Sequence, residues 1–84
     1  MVYVFAAYEG HLPPVPLDHF PDGTPAQSIK LHIRQKFGIP MHLQRLEING
    51  KHMHPHDPLG QTRNKVPIPD FPEDAVVVNV FRDD

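Results

Sequence analysis

Residues 24–53 read TPAQSIKLHIRQKFGIPMHLQRLEINGKHM, and this stretch decides the fold. Thr24 is a good helix cap, Pro25 suits the first helical position, and Gln27 completes a capping box with Thr24. Ile29, Ile33 and Phe37 follow at four-residue spacing and form one apolar stripe with Ala26. Lys30, His32, Arg34, Gln35 and Lys36 occupy the other faces. Gly38 stops the helix in the left-handed position, and Pro40 prevents its continuation. The period then changes. In Arg45–Asn49, Leu46 and Ile48 point one way while Arg45, Glu47 and Asn49 point the other, as on a half-buried strand. Asn49-Gly50 signals a tight turn, and a short strand over Lys51–Met53 is expected after it.

Upstream, Val2, Val4 and Ala6 alternate with Tyr3, Phe5 and Ala7, which is the period of a strand. Glu9-Gly10 marks a hairpin turn. The returning segment Leu12–Leu17 holds Pro13, Pro14 and Pro16, so it suits an edge strand, because proline lacks the ladder donor. Downstream, residues 54–74 hold five prolines and no clear period. They read as a long connecting loop, pinned to the core by Leu59, Val66, Ile68 and Phe71. Ala75–Phe81 is a β-branched run with Val76, Val78 and Val80 inward and Val77, Asn79 and Phe81 outward. The order is strand, strand, helix, strand, short strand, loop, strand. The first and last strands are the most apolar, so they are expected to be central neighbours. One helix covers one face of a mixed sheet, which defines an α+β layer arrangement with the opposite face open to solvent.

Composition narrows the function classes. Eighty-four residues make one small domain, 1–84. There is no cysteine, so disulfide scaffolds, thiolate metal sites and a cysteine nucleophile are excluded. Eleven prolines exclude a helical bundle. The net charge of −2 gives no footprint of nucleic-acid binding. No apolar run suits a membrane span or a signal peptide, and the expected setting is cytoplasmic or nuclear. Charge is unevenly placed: residues 30–65 hold seven basic and two acidic residues, a net +5, and the remainder is −7. This suits a solvated surface or a dipolar domain that docks one face on a charged partner.

The sequence resembles the ubiquitin family. The match is densest over Ser28–Met53: Ile29-Lys30, Ile33, Gly38-Ile39-Pro40, Gln44-Arg45-Leu46 and Gly50-Lys51. The first and last strands agree by pattern, and residues 54–74 match only at scattered positions such as Leu59. The resemblance implies a ubiquitin-like β-grasp, a mixed four- to five-stranded sheet with one α-helix packed on one face.

Within that family, conjugated modifiers end in di-glycine. Here the 84 residues end Phe81-Arg82-Asp83-Asp84, and no glycine follows Gly60. The expectation is therefore a module that is not conjugated. Such domains commonly stand at the N terminus of larger proteins and act as adaptor or targeting modules. The resemblance implies partners such as a proteasomal receptor, a segregase or another ubiquitin-pathway component. The family's apolar patch is altered, however. Glu47 stands where the resemblance places the patch isoleucine, and Val77 and Asn79 stand where it places the histidine and valine. A charge buried unpaired there is costly, so standard ubiquitin readers should bind weakly. The apolar surface is expected to have moved to Tyr3, Phe5, Val77 and Phe81, rimmed by Arg45 and Glu47. The competing expectation is that the loop 54–74 folds over some of these groups.

Other signals are weaker. His52, His54 and His56 alternate, a spacing that suits zinc, nickel or copper, with Asp57 nearby; a solvated loop is the simpler reading. Pro13–Pro16 forms a Pro-x-x-Pro pattern with no flanking basic residue, so the edge-strand reading is preferred. Lys51 matches a chain-linking lysine and reads as a turn residue; Lys30 matches a partly buried lysine, with Asp57 as a candidate partner. No phosphate loop or nucleophile motif is present, and no cofactor is implied. The expectation is a monomeric, non-enzymatic binding module. The alternatives are a diverged ubiquitin relative serving as a structural subunit, and a histidine-dependent metal-binding protein.

Overall fold

A computed structural model describes residues 1–11, 13–62 and 75–83. Five strands form one sheet: β1 (Val2–Tyr8), β2 (Val15–Phe20), β3 (Gln44–Ile48), β4 (Lys51–His52) and β5 (Ala75–Arg82). The sheet order is β2-β1-β5-β3-β4. β1 and β5 are parallel and central; the neighbouring pairs are antiparallel. The two strands richest in valine and alanine are thus paired on both edges, where both faces can be covered.

β2 is an edge, as its prolines require, but it begins at Val15, later than the Leu12–Leu17 expectation. Its pairing with β1 slips between Val4 and Phe5: Val4 faces Asp18, and Phe5 faces Pro16. Leu17 is the extra residue. The bulge sits where Pro16 deletes a ladder donor.

The helical segment starts later than the capping box predicts. A 3-10 turn spans Ala26–Ile29 and leads into α1 (Lys30–Phe37). Pro25 is extended, and no side chain caps the start. The donors at this end find backbone carbonyls instead: Ala26 N–H donates to Asp57 O at 2.8 Å and Gln27 N–H to Pro55 O at 3.0 Å. With its orphan donors satisfied by the loop, the segment has no need of the Thr24 hydroxyl. Gly38 ends α1 at φ 73°, donating to Arg34 O, as expected.

One core lies between α1 and the sheet. Ile29 and Ile33 meet Val2, Val4 and Ala6 of β1, Leu46 and Ile48 of β3, and Val76, Val78 and Val80 of β5. Phe37 packs at its margin. Gln44 is the one buried polar residue among those described. Its Nε2 donates to Lys30 O at 2.9 Å and Ile39 O at 3.0 Å, tying β3 to both ends of the helix-and-turn segment.

The stretch after β4 is more ordered than a plain loop. Met53 is buried and donates to Leu46 O, extending the β4 ladder by one residue. A 3-10 turn covers Leu59–Thr62. Leu59 is fully buried and does pin the segment to the core. Leu59 N–H donates to Thr24 O, and Gly60 N–H to Asp22 O. Val66, Ile68 and Phe71 lie outside the described residues. No described helix is long and apolar enough to cross a membrane.

Candidate functional site

Alternation along the central strands sends a second set of side chains to the face away from α1. From β1 these are Tyr3, Phe5 and Ala7; from β5, Ala75, Val77, Asn79 and Phe81; from β3, Arg45 and Glu47. The register aligns them in rows. His19, Tyr3 and Ala75 form one, and Pro16, Phe5 and Val77 the next. Ala7, Asn79, Glu47 and His52 follow, and Phe81 pairs with Arg45. All seven residues expected at a docking surface therefore share one sheet face.

Their exposure divides them. Phe5 and Val77 are each only 7% exposed and make a small second apolar cluster with Ala7 and Ala75. Phe5 and Val77 are therefore not open to solvent as the patch reading expects, while the competing cover by the loop 54–74 falls mostly on residues 63–74, outside the described residues. Tyr3 supplies part of the cover: its ring stacks on Phe5 at 4.6 Å, and His19 packs on Tyr3 at 4.1 Å. Tyr3, Arg45, Glu47, Asn79 and Phe81 are half-buried and form the accessible surface of the face. The Arg45 guanidinium lies 5.0 Å above the Phe81 ring, and its Nε is 3.2 Å from Glu47 Oε2. That pair satisfies distance but not hydrogen-bond alignment, so Nε is left without a good acceptor. Glu47 is thus charge-paired on its own strand, which lowers the cost of a carboxylate at the centre of this face.

His19 was not anticipated at this site. Its place beside Tyr3 depends on the strand pairing, which the sequence leaves open. At the β4 end of this face, His52 and the neighbouring His54 are exposed with ring centroids 5.4 Å apart. Among the described residues no group of three or more His, Asp or Glu side chains gathers as a metal site. The Lys30–Asp57 pairing is not formed: Asp57 Oδ2 accepts the His54 N–H at 2.9 Å instead. A cleft of about 470 Å³ lies by the end of α1, lined by Arg34, Gly38, Pro40, Met41 and His42. It lies apart from the sheet-face residues.

The mixed five-stranded sheet with one helix across one face defines a β-grasp. Comparison with solved structures identifies it as the ubiquitin-like form. The structure described as "Crystal structure of ATBAG1 in complex with HSP70" matches over 99% of this chain with a TM-score of 0.71 at 16% identity. The chain spans 41% of the length of that ATBAG1-complex chain. At this identity the likeness is one of fold. No family model matches the sequence, and no curated protein does.

Proposed function

We propose that this domain is a protein-interaction module that docks through the β1–β5–β3 sheet face, acts in place without being conjugated, and performs no catalysis. The carrying observation is the composition of that face. A buried Phe5–Val77 centre is bordered by the half-exposed Tyr3, Asn79 and Phe81 and by the Arg45–Glu47 pair. Aromatic and arginine groups around an apolar centre are the usual makings of an interface hot spot. The fold supports the reading through its neighbour: ATBAG1 was solved in complex with HSP70, in a chain more than twice this domain's length. The partner classes are a proteasomal receptor, a segregase or a chaperone of the HSP70 kind, met in a cytosolic or nuclear adaptor.

The test is binding of purified candidates from those classes, followed by backbone amide shifts. Shifts should concentrate on β1, β3 and β5. Asn79→Arg and Phe81→Ser should each weaken binding at least about tenfold, a loss of roughly 1.4 kcal/mol. Leu31→Arg, on exposed α1 surface, should leave it unchanged. Loss with Leu31→Arg and full retention with the two sheet-face variants would move the site off this face.

A further inference from the structure

We infer that His52 and His54 form a two-imidazole site for a borderline divalent cation, zinc, nickel or copper. Their ring centroids are 5.4 Å apart. A tetrahedral zinc with Zn–N near 2.1 Å lies roughly 3.2 Å from each imidazole centroid, so two rings bound to one ion stand about 5.2 Å apart. The observed separation is of that size, with the ring planes inclined at 31°. Copper and nickel favour imidazole in the same way, with copper the tighter.

The backbone holds both rings on one side. His52 pairs with Glu47 across the β3–β4 ladder. Met53, between the two histidines, points into the core. His54 N–H is held by Asp57 Oδ2, and Asp57 N–H donates to His54 O at 3.0 Å. Chelation therefore orders only two side chains, on backbone that is fixed beforehand. Both rings are exposed, so the ion can enter from solvent. His56, beyond Pro55, is not part of the pair. Two protein ligands leave the remaining positions to water or to a group from a partner, which makes the site weak and labile.

The test is titration of the 84-residue chain with zinc chloride, then nickel, in a non-coordinating buffer, following imidazole nitrogen shifts. His52 and His54 should move together and saturate with one common Kd. His52→Asn and His54→Asn should each raise that Kd about tenfold or more, because each deletes the intramolecular second ligand. His56→Asn should change it less than about threefold. All three positions are exposed, and amide spectra of the variants verify the fold. Equal, unsaturated shifts at all seven histidines, or a loss that follows His56 alone, would overturn the site.

Discussion

Gly60 offers the sharpest test of the loop placement. Its N–H donates to Asp22 O at 2.8 Å, drawing the two backbones together. A Cβ built on Gly60 would lie 2.6 Å from Asp22 Cβ, 2.9 Å from Asp22 O and 3.0 Å from Asp22 Cα. Carbon atoms rest at about 3.5–4.0 Å, so Gly60→Ala must part the two backbone segments by roughly 1 Å. That separation stretches the Gly60–Asp22 hydrogen bond beyond its range, at about 1 kcal/mol. Overpacking strain adds about 1–3 kcal/mol. The expected loss is about 2–4 kcal/mol, or on the order of 10–20 °C in Tm for a domain of this size. Urea unfolding measures it directly, with the slope m unchanged. Gly23→Ala is the matched control: it sits one residue from Asp22, has nothing within 4 Å of its built Cβ, and needs no left-handed φ. It should be neutral or stabilising by up to about 1 kcal/mol. A Gly60→Ala midpoint equal to wild type would show that residues 59–60 do not lie against Asp22 as described.

Gln44→Leu removes both donors to Lys30 O and Ile39 O but also an unpartnered buried Oε1; the net loss should be about 1–3 kcal/mol by urea unfolding. Glu9 holds φ 51° in the β1–β2 turn, so Glu9→Gly should gain about 0.5–1 kcal/mol in the same assay, and a loss would mean the Glu9 side chain is holding the turn. Arg45→Met keeps an apolar stem over Phe81 but gives up the cation–π contact and the Glu47 pair. It should cost about 0.5–1 kcal/mol, with the difference from wild type shrinking in 1 M salt, where the Debye length is about 3 Å.

The helix and the central strands were legible because their burial follows a simple period. Ile29, Ile33 and Phe37 are spaced for one helix face, and Val76, Val78 and Val80 for one strand face; all six pack in or against the core. Edge position was legible for β2 because proline has no ladder donor, a property of the residue alone. The helix start was not. Thr24, Pro25 and Gln27 make a good local cap, yet the donors go to Asp57 O and Pro55 O. Those carbonyls come from a segment 28 to 31 residues later, and no local signal announces them. Where a tertiary partner satisfies the same donors, the side-chain cap becomes optional.

The candidate site shows the same division on the other face. Period sorted Tyr3 and Phe5, then Val77, Asn79 and Phe81, then Arg45 and Glu47 to one face of their own strands; the apolarity of the first and last strands and the family resemblance made those strands neighbours. What period cannot supply is depth. Phe5 and Val77 lie in the two central strands, flanked on both sides; the Tyr3 ring stacks on Phe5, and His19 packs on the Tyr3 ring in turn. The bulge at Leu17 places Pro16 opposite Phe5 while His19 stays opposite Tyr3. A partner on this face therefore meets Phe81, Arg45, Asn79 and the edge of Tyr3 first. Phe5 and Val77, each 7% exposed, lie beneath them. Substituting Phe5 tests stability before it tests binding, and so the informative interface variants are those at Asn79 and Phe81.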